Sequence, residues 1–275
     1  MDRRLVKVVV WLVLLVFLAV QMPSAGAERR PSAGDAFKIA AKLLAMKLIV
    51  ALPKILERFK ARRQELLARG GGDAYPRAGV AELLDSTEAS LQKELRNKDF
   101  APLRDYVAEV FDNARSGLGL PTSTAFRPLP APQATLASLR LTLVGGVPDS
   151  LVDRILADLH LDAVGEFLAD LTDRARRKDL TVDLCVVSVP PKAKVLMHTA
   201  TGREIDPTNT NGRFVNLLRG TYFYTVTKRK FPPICEHPIE CRIRLYEKKQ
   251  PVLSCELSEG QCIVQEGWSG ACVGR

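Results

Sequence analysis

The spacing of hydrophobic residues changes at Leu180, and this change constrains the fold of the 275-residue chain more than any other feature. Before Leu180 the apolar residues recur with the 3.6-residue period of amphipathic helices. After it they alternate with polar residues, as they do in strands that bury one face. The sequence therefore predicts an α+β protein, in which a helical N-terminal region is followed by a small antiparallel β-sandwich with disulfides.

Disulfides are expected because all six cysteines lie in the last third of the chain, after the change in period. An even, clustered set of cysteines in an exported chain is typical of disulfide bonds. A zinc site that adds His237 to Cys235 and Cys241 is the weaker alternative, since the sequence contains no CxxC pair. We therefore predict three disulfides, with their pairing left open, and no metal site. The cysteines concerned are Cys185, Cys235, Cys241, Cys255, Cys262 and Cys272.

Residues 1–27 have the layout of a secretory signal peptide. A basic start, Asp2–Lys7, precedes the uncharged run Val8–Val20, and Ala25-Gly26-Ala27 forms an A-x-A cleavage pattern. The uncharged run is shorter than the roughly 20 residues of a spanning helix. An uncleaved N-terminal anchor is the alternative, and both interpretations export residues 28–275. No cysteine lies near the cleavage pattern, so we predict a periplasmic or secreted protein that is not a lipoprotein.

The formal net charge of +9 has its source mainly in one segment. Residues 28–69 carry eleven Lys or Arg and four Asp or Glu, whereas residues 70–179 sum to −4 and residues 180–275 to +4. We therefore treat residues 28–72 as a cationic helical segment, with a helix over Asp35–Arg69 that ends at the three glycines after Arg69. Pro53 is expected to kink this helix or to start a second one, because proline removes a backbone donor.

The cationic helix has two interpretations. It lies on an anionic membrane surface, or it packs against the acidic middle region of the chain. The lysines and arginines fall into two groups on nearly opposite sides, whereas a surface-lying helix needs one polar face. We therefore expect packing, with the membrane surface as the alternative partner of residues 35–69. One group is Lys38, Lys42 and Lys60, and the other is Lys47, Lys54 and Arg58.

Residues 73–179 are predicted to be helical, apart from a proline-rich loop at residues 118–135. Residues 180–275 are predicted to form a domain of their own. The helices are expected around Val80–Leu95, Leu103–Ala114 and Asp149–Lys178, with a short strand at Leu139–Leu143. The sandwich strands are expected at Thr181–Val189, Ala193–Thr199, Gly212–Leu218, Thr221–Lys228, Cys241–Tyr246, Val252–Leu257 and Cys262–Gln265.

Part of the strand region resembles a PEGA-type module, over about residues 186–231. The resemblance is carried by Val187–Val195, Gly202, Asp206-Pro207 and the late stretch Leu218–Val226. Such modules are small β-sandwiches found outside bacterial cells, usually attached to other domains. The resemblance therefore implies a bacterial protein of the cell envelope, and it covers neither the helices nor the cysteine-rich end.

The sequence contains no recognised catalytic or cofactor motif. GxSxG, HExxH, P-loop and GxGxxG patterns are all missing, and the histidines His160, His198 and His237 are scattered. We predict a protein without enzymatic activity and without a cofactor, and keep a hydrolase with an unrecognised site as an alternative. Asp206–Gly212 is expected to be a turn-rich loop; it lacks the spacing of a calcium loop, and such turns form without metal.

A basic cluster in the strand region is the candidate binding site. Its anionic ligand would be an envelope polymer or a surface glycan, and export argues against nucleic acid. The sequence thus predicts an exported, non-catalytic binding or envelope-associated protein; the alternative is a membrane-active protein that works through its cationic helix. The cluster consists of Lys228, Arg229, Lys230, Arg242, Arg244, Lys248 and Lys249.

Overall fold

The computed structural model describes residues 33–71, 75–122, 149–200, 202, 204–209, 212–235 and 241–267. The predicted signal peptide, the strand predicted at Leu139–Leu143, most of the proline-rich loop, His237 and Cys272 lie outside the described residues. Within these ranges, each helix lacks the long, nearly uncharged apolar stretch that a membrane span requires.

Four α-helices precede the strands within the described ranges, close to where the 3.6-residue period predicts them. A short 3-10 helix, Lys98–Phe100, lies between the second and the third of these α-helices, and the side chain of Asn97 caps it. The α-helices are α1 (Ala33–Arg69), α2 (Arg77–Glu94), α3 (Ala101–Gly117) and α4 (Asp149–Arg177).

Helix α1 runs without interruption through Pro53, so of the two alternatives predicted for this proline, a kink or a second helix, the second helix is wrong. Leu48, Leu52 and Ile55 are all buried on one side of the helix, before and after the proline. Packing of this continuous apolar side therefore outweighs the loss of one backbone hydrogen bond.

The strands form two four-stranded sheets, one in the order β4-β1-β7-β8 and the other in the order β3-β2-β5-β6. Apolar residues of both sheets belong to one buried cluster, so the α+β architecture with a mostly antiparallel sandwich is confirmed. The strands are β1 (Thr181–Val189), β2 (Lys194–His198), β3 (Glu204–Asn209), β4 (Gly212–Leu218), β5 (Thr221–Thr227), β6 (Arg242–Arg244), β7 (Pro251–Glu256) and β8 (Gln261–Glu266).

Strand β3 corrects the prediction of a turn-rich loop at Asp206–Gly212. Its backbone pairs antiparallel with β2, from Lys194 opposite Asn209 to His198 opposite Glu204. Pro207 is compatible with a strand here because β3 is at the edge of its sheet, where one side of the backbone needs no partner. The Asn and Pro residues are typical of a turn, but an edge strand also accommodates them.

One strand pair departs from the predicted antiparallel pattern. Strands β1 and β7 run parallel, with Cys185 opposite Val252 and Val189 opposite Glu256. These strands are separated by more than 60 residues of chain, which gives room for the crossover that a parallel pair needs. Local alternation of residues predicts that a strand exists, but not which distant strand it joins.

The stretch Leu218–Val226, which carries part of the PEGA resemblance, connects the strands to a helix. The Tyr222 hydroxyl donates a 2.6 Å hydrogen bond to the carbonyl oxygen of Leu218, so the side chain folds back over the turn between β4 and β5. At this turn Gly220 lies against the first turn of α3: a Cβ at this position would be 2.2 Å from the carbonyl of Pro102. The turn therefore joins the strand region to a helix.

The buried core crosses the predicted boundary at residue 180. The described residues belong to one compact unit, in which α1 packs against α2, α4, β1 and β4, and α3 packs against β5. Tyr246, next to β6, stacks on Tyr106 of α3 with ring centroids 4.5 Å apart. Independent folding of residues 180–275 stays a prediction, and the strands in this structure share their apolar surface with the helices.

Disulfides connect described cysteines as the sequence predicts. Cys255 and Cys262 are directly opposite each other on β7 and β8, with Cα atoms 4.1 Å apart. Cys235 and Cys241 close a short loop before β6. Cys185 is also disulfide-bonded, and none of the described cysteines is free.

Candidate functional site

The predicted basic cluster is divided by the fold. Arg242 and Arg244 both face Glu109 of α3, with N–O distances of 3.2 Å and 2.6 Å. Glu109 is 95% buried, and its contacts are ion pairs that lack hydrogen-bond geometry. Burial lowers the pKa of Arg242, and Glu109 opposes this effect. These two arginines therefore neutralise an internal carboxylate and hold β6 against α3.

The five lysine and arginine residues that remain in the cluster are closer to the surface. The Lys228 ammonium donates to the Pro191 carbonyl, and Lys248 pairs with Glu266 at 3.7 Å. Arg229, Lys230 and Lys249 are exposed, on two separate turns. The structure thus leaves three exposed cations of the seven, rather than one continuous surface.

A cleft of about 680 Å³ lies between α3, α4 and the end of β6. Three aromatic rings form its inner wall: Tyr106 stacks on Tyr246, and Phe167 contacts both at centroid distances of 5.9 Å and 5.5 Å. The Arg174 guanidinium carbon lies 5.0 Å from the centroid of the Tyr246 ring. These contacts fix the ring cluster in place.

The two phenol groups of this cleft already have partners. The Tyr106 hydroxyl donates to Glu247 at 2.9 Å, and the Tyr246 hydroxyl donates to Asp170 at 2.9 Å. Burial, with the neighbouring carboxylates, raises the pKa of both phenols, so both stay protonated. Two protonated phenols that donate to carboxylates join α3, α4 and the sheet, and they supply neither a nucleophile nor a general base.

Helix α1 is apolar on two opposite sides, and the described part of the chain buries one of them. The covered side packs into the core through Leu44, Leu48, Leu52, Ile55 and Phe59. The opposite side, which we call the apolar stripe, consists of Ile39 (56% exposed), Leu43 (49%), Met46 (60%) and Val50 (63%). At about 100° per residue the four side chains point within about 60° of one another.

Lysines border the apolar stripe on both sides. Measured from Ile39 around the helix axis, Lys42 points about 60° to one side, and Lys54 and Lys47 point about 60–80° to the other. All of these lysines, and Lys38 on the Lys42 side, are exposed. Between Asp35 and Glu57 the sequence has four lysines and no acidic residue.

The packing prediction for α1 is confirmed, but the argument from its lysines needs a correction. Arg63 of α1 pairs with Asp158 of α4 at 2.7 Å and also with Asp162, so the helix does pack against the acidic middle region. The two groups of lysines lie on opposite borders of the outward side, rather than on opposite sides of a free helix. The sequence shows apolar residues all around the helix. It does not show which of these side chains the rest of the described chain buries.

Neither a metal site among the described residues nor a related protein gives a further assignment. Among the described residues, no group of three or more His, Cys, Asp or Glu side chains is placed to hold a metal ion. No family model, no curated protein and no solved structure matches this chain. The resemblance to a PEGA-type module therefore stays a prediction.

Proposed function

We propose that this chain is an exported, non-catalytic protein that associates with an anionic surface of the cell envelope through the outward side of α1. The observation that carries the proposal is the exposed apolar stripe of α1, with lysines along both borders and no acidic residue between Asp35 and Glu57. The sandwich and the other helices serve as the folded body that presents this side of α1.

The proposal follows from the distribution of charge and apolar area. Lysines that only keep a protein soluble are usually mixed with acidic residues, whereas between Asp35 and Glu57 this side of α1 carries only positive charge. A concentrated positive surface attracts an anionic partner and accelerates its association. Four large apolar side chains in one exposed row are also more typical of an interaction surface than of ordinary surface composition.

The predicted strand-region cluster supplies a matched comparison. We expect Lys38→Glu, Lys42→Glu and Lys47→Glu together to abolish co-sedimentation of the purified exported protein with vesicles rich in an anionic lipid and with cell-wall fragments. The triple variant Arg229→Glu, Lys230→Glu and Lys249→Glu changes the net charge by the same amount. It is expected to co-sediment like the wild type.

The comparison decides between the two candidate surfaces. Loss of binding in the strand-region variant alone would move the site to the sequence-predicted cluster and overturn the proposal. Equal loss in both variants would reduce the interaction to net charge. Thermal melting of both variants checks the fold, since all six substituted side chains are exposed.

A further inference from the structure

We infer that the anionic surface is a phospholipid bilayer, and that α1 lies in the plane of its interface with the apolar stripe in contact with the acyl chains. This inference rests on the proposed function and names the partner of the same side of α1. It is argued from the apolar stripe, the lysine borders and the covered side of the helix.

The apolar stripe separates a bilayer from a soluble polyanion. A charged polymer is held by lysines alone, and it gives no reason for Ile39, Leu43, Met46 and Val50 to be about half or more exposed. A bilayer interface interacts favourably with both kinds of residue, because apolar side chains enter the acyl region while lysine ammonium groups stay at the level of the headgroups. The order of lysine, apolar stripe and lysine across α1 matches this layering.

The geometry also sets the orientation of the helix. From Ile39 to Val50 the stripe extends about 17 Å along the axis at 1.5 Å per residue. The opposite side of the same segment is fixed in the protein core through Leu44 and Leu48, both fully buried. The segment therefore meets the bilayer side-on and enters it to side-chain depth, within the roughly 5–10 Å typical of interfacial helices.

A second copy of the chain is a poor occupant of this surface. Two copies that met through their apolar stripes would bring Lys42, Lys47 and Lys54 of each chain close to those of the other. No acidic residue of the 36–56 segment is available to pair with them. Repulsion between like charges opposes such a contact, while anionic headgroups relieve it.

The two kinds of residue are expected to contribute separately to binding. Each lysine close to an anionic membrane raises the partition coefficient roughly five-fold, so three lysines give on the order of 100-fold. The apolar contribution is independent of lipid charge and is absent when the partner is a soluble polymer. This difference provides the test.

The experiment compares three variants of the exported protein on three probes. The probes are phosphatidylglycerol–phosphatidylcholine vesicles, phosphatidylcholine vesicles and long-chain polyphosphate in solution. The stripe variant Leu43→Ser/Met46→Ser is expected to lose at least ten-fold in affinity for the anionic vesicles and to keep its polyphosphate affinity within two-fold. The control variant Leu159→Ser/Ile263→Ser removes exposed apolar residues elsewhere (55% and 52% exposed) and is expected to bind like the wild type on every probe.

The third variant separates the inference from the proposed function. Lys38→Glu/Lys42→Glu/Lys47→Glu is expected to lose its binding to the anionic vesicles and to polyphosphate. Unchanged vesicle binding by the stripe variant would overturn lipid insertion and leave anionic binding intact, whereas unchanged binding by the lysine variant would overturn the proposed function itself. If the stripe variant melts early, Val50→Ser repeats the test with a single substitution on the most exposed member of the stripe.

Discussion

Arg115 shows how single charged residues join helices in this protein. Its guanidinium is 96% buried and contacts Asp112 of its own helix at 3.0 Å, together with Asp85 (2.8 Å) and Glu88 (2.5 Å) of α2. Burial raises the pKa of Glu88, and the Arg115 contact acts against this rise. Such a buried cation is stable only while its carboxylate partners are in place, so this group orients α2 on α3.

Asp105 of α3 is a second buried charge, and it predicts a pH dependence of stability. Its carboxylate accepts a 3.2 Å hydrogen bond from the backbone N–H of Ala200, and burial raises its pKa from 3.8 to about 6. Since the folded state holds the proton more tightly, the stability of the fold falls as the pH rises from about 4 to about 6. Above pH 6 the ionised group costs up to about 3 kcal/mol, the equivalent of two pKa units.

We therefore expect Asp105→Asn, which keeps an acceptor for Ala200, to stabilise the protein at pH 8 by about 1–3 kcal/mol and to change little at pH 4. Urea unfolding at several pH values measures the difference. Asp153→Asn, at an exposed position of α4, serves as the control and should keep the wild-type slope. A constant offset for Asp105→Asn across this range would rule out a carboxyl with a raised pKa.

At the scale of elements, the β4–β5 turn is in close contact with α3, and a substitution at Gly220 tests this contact. A methyl group at Gly220 would meet the carbonyl of Pro102 at 2.2 Å and the nitrogen of Leu103 at 2.6 Å. Both are backbone atoms, so a whole element must shift. We expect Gly220→Ala to destabilise the protein by about 3 kcal/mol in chemical denaturation.

Gly165 of α4 is the matched control for this substitution. A Cβ there would meet only the Phe59 ring, at an ordinary distance of 3.5 Å. Alanine is a better helix former than glycine, so Gly165→Ala is expected to be neutral or to stabilise by up to about 1 kcal/mol. A loss for Gly220→Ala no greater than this gain would show that α3 and the turn are not in close contact.

The sequence predicts elements well where packing follows a local period, and poorly where it depends on distant partners. The bounds of β1 and β4 agree residue by residue with the alternation, and α4 differs from its prediction by one residue. Strand β3 was not predicted, because Pro207 and its neighbours resemble a loop unless it is known that the segment lies at the edge of a sheet. The exposure of Met46 and Val50 was not predicted for a related reason: composition shows that a side chain is apolar, but only the fold shows whether another element covers it.

At the scale of the whole molecule, strands and helices complete one another's cores. Tyr246 is 98% buried, yet it lies against Tyr106, Phe167 and Arg174, all of which belong to helices. A chain limited to residues 180–275 would expose this ring to solvent. We therefore expect that fragment to unfold at a lower urea concentration than residues 180–275 do in the full protein. Its free energy of unfolding is expected to be lower by several kcal/mol.

The measurement follows unfolding of the strand region in both proteins by tyrosine fluorescence and circular dichroism. Two separate transitions in the full chain, the later one coinciding with that of the fragment, would establish residues 180–275 as an independent domain. A single shared transition at a higher urea concentration is the outcome that the continuous core predicts.

The bond between Cys255 and Cys262 has a consequence for how the protein meets other copies of itself. Strand β8 is the last strand of its sheet, and it hides the backbone edge of β7, whose Val252, Leu253 and Cys255 are buried. Because the bond ties two directly opposed residues, β8 cannot slip in register or peel away while the bond is intact. In a reducing environment this restraint is lost, and a freed β7 edge is a template on which a strand of a neighbouring molecule adds. We therefore expect correct oxidation to protect the protein against assembly through strand addition between copies.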